Sequence, residues 1–198
     1  FISTLGMMTL LRGVILVYTK GSPIPIKSDA YKFFGKGSIA GIPVPVIILI
    51  IVFLLAHYIL TQTSYGRSVY AVGGNREAAR LSGIRVKTSE FLVYTLNGLM
   101  CGMAGLILTA RLGSAQSTSG TGIEMDAIAA VILGGTSLSG GVGFVLPTVV
   151  GAMIMGIIDN ILTLMNVNPH ATNIVKGAVI LIAVLVDKKV KDLSAKAE

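Results

Sequence analysis

The sequence contains little charge, and this scarcity narrows the class of protein. Asp, Glu, Lys and Arg make up 13% of the 198 residues, whereas a soluble domain carries about a quarter. Hydrophobic residues make up 53%, and the mean hydropathy is +0.82. The formal net charge of +7 does not indicate a nucleic-acid surface, because the basic residues flank apolar runs and are not interleaved with aromatic ones. The composition therefore predicts a protein of the lipid bilayer.

Cysteine and the motifs of enzymes are also scarce. The single Cys101 excludes an intrachain disulfide and matches no metal-ligand spacing. The sequence has no GxxxxGK[ST] phosphate loop and no Ser/His/Asp arrangement, so we expect no catalytic residue, cofactor or metal. His57 lies in an apolar run and His170 follows Pro169, positions that favour structural or interfacial roles. We therefore expect that the chain is not itself an enzyme.

Long apolar runs dominate the chain. Five of them approach the roughly 20 residues that a spanning helix needs: 2–19, 43–62, 91–111, 144–165 and 171–186. A sixth run, 123–135, would reach only about 20 Å as a helix, short of the roughly 30 Å hydrocarbon core. We predict a half-helix there, continued by the irregular loop GGTSLSGG at 134–141, because broken backbone at membrane depth must be buried in protein or line a cavity. The predicted fold class is all-α, a polytopic transmembrane helix bundle formed by residues 1–198 as one domain.

The positions of the basic residues predict the orientation in the membrane. Five Lys and Arg residues lie in the segment 63–90 and four in the tail 187–198, whereas the loops 112–122 and 166–172 contain none. The predicted loop 20–42 carries four lysines against this pattern, so the orientation rests mainly on the tail and on the two loops without Lys or Arg. Because cytoplasmic loops are enriched in Lys and Arg, the segment 63–90 and the tail are predicted to be cytoplasmic. With this orientation, the stretch 123–143 must return the chain to the cytoplasmic side.

The cytoplasmic segment contains a short predicted helix with both ends marked in the sequence. Asn75 is a favourable N-cap, and the residues from Arg76 to Ser82 are mostly good helix formers. Gly83 follows where a left-handed C-cap is wanted. A helix of about two turns is marginal in isolation, so something must hold it in place.

The residues Glu77, Ala78, Ala79 and Gly83 form the pattern EAAxxxG, which resembles the cytoplasmic-loop signature of permease subunits of bacterial ABC importers. Three longer runs are similar to the branch of that family that serves ribose, xylose and related monosaccharides, and most similar to ribose permeases: FISTLGMMTLLRG at 1–13, GRSVYAVGGNREAARLSGI at 66–84 and GTGIEMDAIAAVILGGTSLSGG at 120–141. The likeness covers essentially the whole chain. Members of the branch extend upstream by roughly a hundred residues, so the resemblance implies that an N-terminal part is missing.

The resemblance also implies partners. In that family the loop forms a coupling helix that docks in a groove of a separate ATPase subunit, where ATP is hydrolysed. The coupling residues that the resemblance implies are Asn75, Arg76, Glu77, Ala78, Ala79, Arg80 and Gly83. It further implies an extracellular or periplasmic sugar-binding protein, a second permease copy in a homodimer, and a multi-pass position in the inner or plasma membrane of a bacterial cell.

Polar residues within the apolar runs are candidates for the translocation pathway. Ionisable groups at membrane depth are costly, so Asp159, beside Asn160, is either a functional residue or half of a structural ion pair, with Arg12 as candidate counter-ion. Asp126 and Glu124, near the start of the half-helix, either complement the helix dipole or contact the sugar or the protein that delivers it. The other candidates offer hydrogen-bonding side chains or the backbone of the irregular loop: Asn97, Thr109, Gln116, Gly134, Gly135, Thr136 and Ser137.

These features predict ATP-driven import of a monosaccharide, ribose or a related pentose. Another furanoside or a nucleoside is an alternative substrate within the same family. Two alternatives of other classes remain open: an ion-coupled secondary transporter, which Asp159 and the broken segment 123–141 could serve, and a membrane scaffold that transports nothing.

Overall fold

The computed structural model describes the backbone of residues 2–194 and, within it, all side chains except those of 169, 170, 180, 182 and 186–194. His170 and the lysines of the predicted tail therefore lie outside the described side chains. The helices are α1 Ile2–Thr19, α2 Asp29–Lys36, α3 Val44–Gln62, α4 Ser64–Gly74, α5 Arg76–Leu81, α6 Val86–Leu112, α7 Ile123–Leu133, α8 Val145–Leu164 and α9 Pro169–Ser194. Four two-residue strands complete the regular structure of the described chain: β1 Ile24–Pro25, β2 Ser38–Ile39, β3 Ile42–Pro43 and β4 Ser114–Ala115.

The helix pattern confirms the all-α polytopic fold class. Among the described residues, α1, α3, α6 and α8 are long and apolar enough to cross a membrane. The predicted runs 2–19, 43–62 and 144–165 match α1, α3 and α8 to within a residue at each end. The fifth predicted run lies in α9, whose apolar part, Ala171–Leu185, is shorter than the four spans. Helix α7 has 11 residues and is the predicted half-helix.

The segment 63–90 is more helical than the sequence indicates. Helix α4 precedes the predicted short helix, and its first turn is capped by the Thr63 side chain, which accepts a hydrogen bond from the Gly66 amide at 3.2 Å. Helix α6 begins at Val86 rather than at 91, because a polar first turn precedes its apolar run. An apolar-run criterion misses both features, since it locates only the part of a helix that suits lipid.

The residues form two compact units, 1–52 with 94–121 and 53–93 with 122–198. In the first unit, Ile24 of β1 pairs with Ala115 of β4, and β2 and β3 form a hairpin around the left-handed residues Ala40 and Gly41. Tyr31 of α2 shares a hydrogen bond of 2.8 Å with Thr109 of α6. These contacts replace the plain loop that the sequence predicts between α1 and α3.

The second unit has its core at the half-helix, which packs on α8 and α9. Ala129, Ala130 and Met155 are its buried centre. The α7–α8 contact needs small residues, because a Cβ on Gly134 would lie 2.5 Å from Thr148 Cα and a Cβ on Gly151 would collide with the Ala130 carbonyl oxygen. Side chains this small let two helix backbones approach closely, so α7 is buried in protein on this side, as its short length requires.

Candidate functional site

Helix α5 has the two ends that the sequence predicts. The Asn75 side chain accepts hydrogen bonds from the amides of Glu77 and Ala78 at 3.1 and 3.0 Å. At the other end, the Gly83 amide donates to Arg80 O at 3.0 Å and the Ile84 amide donates to Ala79 O at 3.1 Å. Gly83 has φ +83°, so this pair of bonds is a Schellman motif with glycine at its left-handed position. Asn75 and Gly83 therefore define a six-residue helix, Arg76–Leu81.

The side chains of α5 fall into a buried and an exposed set. Ala79 is 4% exposed, whereas Leu81 is 80% exposed. The other four residues of the helix, Arg76, Glu77, Ala78 and Arg80, are also exposed. Arg80 and Glu77 form an ion pair of 2.5 Å along the helix. The exposed set combines charges of both signs with a leucine, a combination suited to contact with another protein.

Arg76 ties α5 to Glu90, the fifth residue of α6. Its Nε and Nη2 atoms donate to the two carboxylate oxygens of Glu90 at 2.8 and 3.0 Å. The hydrogen bonds and the charge of Glu90 raise the pKa of Arg76 above its ordinary value. Arginine is charged throughout the neutral range even with its ordinary pKa, so this shift adds no pH dependence there. No sequence motif marks Glu90 for this role.

A cluster of three ionised groups joins α7, α8 and α9. Lys176 Nζ lies 2.8 Å from Asp126 Oδ2 and 2.9 Å from Asp159 Oδ1. The side chains are 18%, 24% and 40% exposed for Lys176, Asp126 and Asp159 respectively. We name these three residues the ion cluster. Lys176 is thus an ion-pair partner of Asp159 within this unit, a partner that differs from the candidate Arg12.

The two acidic residues at the start of α7 have different partners. Glu124 accepts a hydrogen bond from the Gly122 amide at 3.1 Å, next to the N-terminus of the helix, as the dipole interpretation predicts. Asp126, two residues further on, pairs with Lys176. Lys176 lies in the apolar run 171–186. Its pairing with acidic residues on other helices cannot be predicted from this run alone.

The half-helix ends in a loop, 134–144, whose backbone is ordered by its own hydrogen bonds. Gly135 has φ +75°, and the amides of Gly135 and Thr136 donate to Ile132 O and Val131 O at 2.8 and 3.1 Å, a second Schellman motif. The Ser137 amide donates to Val142 O at 2.9 Å and closes the loop. From α4, the Tyr70 hydroxyl donates to Gly143 O at 2.9 Å. The predicted irregular continuation of α7 is thus a folded loop anchored to α4.

The remaining candidate pathway residues are distributed over both units. Asn97 on α6 and Gln116 after β4 belong to the first unit and are exposed there. In the second unit, the structure brings Asp126 and Asp159 together through Lys176, while Asn160 is exposed on α8. Gly134 is buried, Gly135 is exposed, and Thr136 and Ser137 are half-buried in the loop.

Apolar spans, a half-helix buried against them and a capped, exposed helix between two spans define the architecture of a multi-pass membrane permease. The chain belongs to the family described as branched-chain amino acid transport system / permease component, which it matches over residues 1–184.

Three named relatives have high sequence identity to this chain. The ribose import permease protein RbsC of Escherichia coli K12 is 53% identical over 193 residues, covering 96% of this chain and 60% of that protein. RbsC of Bacillus subtilis 168 is 50% identical over 191 residues, with 96% and 59% covered. The xylose transport system permease protein XylH of E. coli K12 is 48% identical over 151 residues, with 76% and 38% covered. The chain thus spans about 60% of the length of the ribose permeases it matches. No solved structure matches the chain.

Proposed function

We propose that this chain is part of the membrane-spanning permease subunit of an ABC importer that carries a monosaccharide, ribose or a related pentose, into the cell. The observation that carries the proposal is the 53% identity to a ribose import permease over 96% of the chain. The EAAxxxG residues lie on a helix with both ends capped and most side chains exposed, in keeping with this function. The two RbsC relatives are ribose import permeases and XylH is a permease of a xylose transport system, so these relatives do not favour an ion-coupled transporter.

The orientation belongs to the proposal. The segment 63–90 faces the cytoplasm, and α7 with its loop returns the chain to that side before α8 begins. The contact of Tyr70, in the cytoplasmic segment, with Gly143, directly before α8, supports this path. Because α7 has only 11 residues, about 16 Å of helix, the loop must complete the return.

The partners are assigned by chemistry and position. The ATPase subunit contacts the exposed set of α5, where Asn75, Gly83 and the Arg76–Glu90 pair hold the helix ready for docking. A sugar-binding protein delivers the substrate on the opposite face of the membrane, and a second permease copy completes the pathway. Asn97, Gln116, Asn160 and the loop residues Gly134 to Ser137 remain the candidates for contact with sugar hydroxyls.

The test is uptake of labelled ribose by proteoliposomes that contain the full-length permease with its ATPase and binding-protein partners. We expect uptake that requires ATP and continues when ionophores collapse the proton and sodium gradients. Uptake that continues without ATP hydrolysis but stops with the ionophores would identify an ion-coupled transporter instead. Absence of flux for every sugar, furanoside and nucleoside offered would favour the scaffold.

A second experiment tests the docking surface. We expect Leu81→Asp to weaken binding of the ATPase subunit by roughly tenfold or more, because an apolar side chain buried at an interface is replaced by a charge. The matched control is Leu138→Asp, an exposed leucine of the same unit that lies in the loop after α7. Binding is measured with the permease in lipid nanodiscs, and equal affinity for the Leu81→Asp variant and the wild type would contradict the assigned surface.

A further inference from the structure

Two glycine pairs bring α4 and the loop 134–144 into direct backbone contact. Gly73 and Gly74 are the last residues of α4, and Gly140 and Gly141 lie in the loop. A Cβ added to Gly73 would lie 2.8 Å from the Gly141 amide nitrogen, and one added to Gly141 would lie 2.8 Å from Gly74 Cα. A Cβ on Gly140 would collide with the Gly73 carbonyl oxygen. We name the contact of Gly73 with Gly140 and Gly141 the glycine joint.

The glycine joint has no side chains between its two backbones. Side-chain packing can absorb a small displacement by changing rotamers, but two backbones in direct contact cannot. Gly140 and Gly141 also have φ of +87° and +75°, which fixes the turn that presents them to α4. The hydrogen bond from Tyr70 to Gly143 O lies one helical turn before the joint on α4 and holds the same loop. The loop and the end of α4 are therefore held together at two points.

The joint lies between two features of the proposed mechanism. On one side, Gly74 is followed at once by Asn75, the N-cap of α5. On the other side, the loop continues from α7, which is fixed to α8 and α9 by its close packing and by the ion cluster. A displacement of α5 is therefore transmitted to α7 through a short length of backbone, from Gly74 through the joint and along the loop 134–144.

We propose that the glycine joint is the element that passes movement of α5 to the loop 134–144 and the half-helix, so that Gly73 and Gly141 are positioning residues for sugar translocation. This inference rests on the proposed function. This role separates docking of the ATPase from transport of the sugar. Docking of the ATPase subunit depends on α5 alone and does not need it. Conversion of ATP hydrolysis into sugar movement does need it.

The glycines of α4 provide a matched pair of variants. Gly73→Ala forces the two backbones apart, although alanine is otherwise the better helix former. Gly74→Ala, at the adjacent position of the same helix, places its Cβ 3.8 Å from Gly141 Cα, an ordinary van der Waals contact. Neither glycine has a positive φ, so backbone strain does not separate the two variants.

The measurement is the number of sugar molecules transported per ATP hydrolysed, in proteoliposomes with the full-length permease, ATPase and binding protein. We expect Gly73→Ala to bind the ATPase normally and to lower this ratio by about 5- to 150-fold, the range of typical coupling free energies. Gly74→Ala is expected to stay within about twofold of the wild type, since it keeps the contact. A merely structural defect would lower uptake and stimulated hydrolysis together and leave the ratio unchanged.

Tyr70→Phe keeps the packing and removes only the hydrogen bond to Gly143, so it serves if Gly73→Ala fails to assemble. We expect it to lower the ratio by roughly fivefold, the effect of one typical hydrogen bond. A wild-type ratio in an assembled Gly73→Ala complex would overturn the inference, as would equal losses in the Gly73→Ala and Gly74→Ala variants. If Gly73→Ala does not assemble, a wild-type ratio for Tyr70→Phe would overturn it. Failure of the proposed function is distinguishable, because the wild-type complex would then show no ATP-dependent uptake.

Discussion

Lys176 is the cation that two carboxylates on two other helices share. Asp126 comes from α7 and Asp159 from α8, and both lie within 2.9 Å of Lys176 Nζ. Charged groups at membrane depth are tolerated when they are paired within the protein. Removing the lysine leaves two carboxylates without that partner, whereas removing one carboxylate leaves a paired lysine. The lysine is therefore the more sensitive member of the ion cluster.

We expect Lys176→Met to lower the free energy of unfolding by about 1–3 kcal/mol, less than for a fully buried pair because Asp159 is 40% exposed. This loss is measured as a decrease in the melting midpoint of the full-length permease in detergent. Size-exclusion chromatography of heated samples gives the midpoint. Lys176→Arg keeps the charge and serves as the matched control.

A triple variant, Lys176→Met with Asp126→Asn and Asp159→Asn, removes all three charges together. We expect its melting midpoint to exceed that of Lys176→Met alone, because unpaired charge costs more than a neutral polar cluster. If the triple variant melts at or below the single variant, the pairing of charges is not what stabilises the contact of α7 with α8 and α9.

Among the elements, α5 shows how a very short helix is held in place. A helix of six residues is not stable in isolation. Its caps, its ion pair with Glu90 and its connection to α4 supply the missing stability. Gly83 is the clearest single contribution, because φ +83° is unfavourable for any residue with a Cβ. Nothing lies within 4 Å of a Cβ added at Gly83, so a substitution there acts through the backbone and not through a collision.

We expect Gly83→Ala to destabilise the end of α5 by about 1 kcal/mol and to weaken binding of the ATPase subunit by roughly fivefold. Ser82→Ala is the control, because Ser82 is exposed and has an ordinary φ of −78°. The affinity of the ATPase subunit for each permease variant in nanodiscs measures the difference between the two variants. Equal binding by the Gly83→Ala and Ser82→Ala variants would show that docking does not depend on this cap.

The elements that the sequence predicts well are those set by local chemistry. Apolar runs locate α1, α3 and α8, and Asn75 with Gly83 mark both ends of α5, because caps and lipid-facing runs depend on a few neighbouring residues. Contacts between distant segments leave no such local signal. The pairing of Lys176 with two aspartates and the approach of Gly73 to Gly141 depend on how α4, α7, α8 and α9 pack, so the sequence analysis missed both.

For the whole molecule, the critical question is the path of the chain between α6 and α8. The basic residues of 63–90 and the absence of Lys and Arg from 112–122 predict that these segments lie on opposite sides of the membrane. The glycine joint connects the loop 134–144 to the segment 63–90, which is predicted to be cytoplasmic, and this contact supports a return of the chain by way of α7. A path in which α7 stays at the outer face would separate these two segments by the thickness of the bilayer.

Single cysteines distinguish the two paths. In a Cys101→Ala background, we expect Ala78→Cys and Leu138→Cys to react with a membrane-impermeant maleimide only when the cytoplasmic face is accessible, as in inside-out vesicles. Thr118→Cys lies in the loop after β4. It should react in intact cells whose outer envelope the reagent can cross, because the loop 112–122 is predicted to face outward. All three positions are exposed, so differences in labelling report the side of the membrane and not burial within the chain. Labelling of Leu138→Cys from the outside would contradict the return of the chain through α7 and would remove the basis for transmission through the glycine joint.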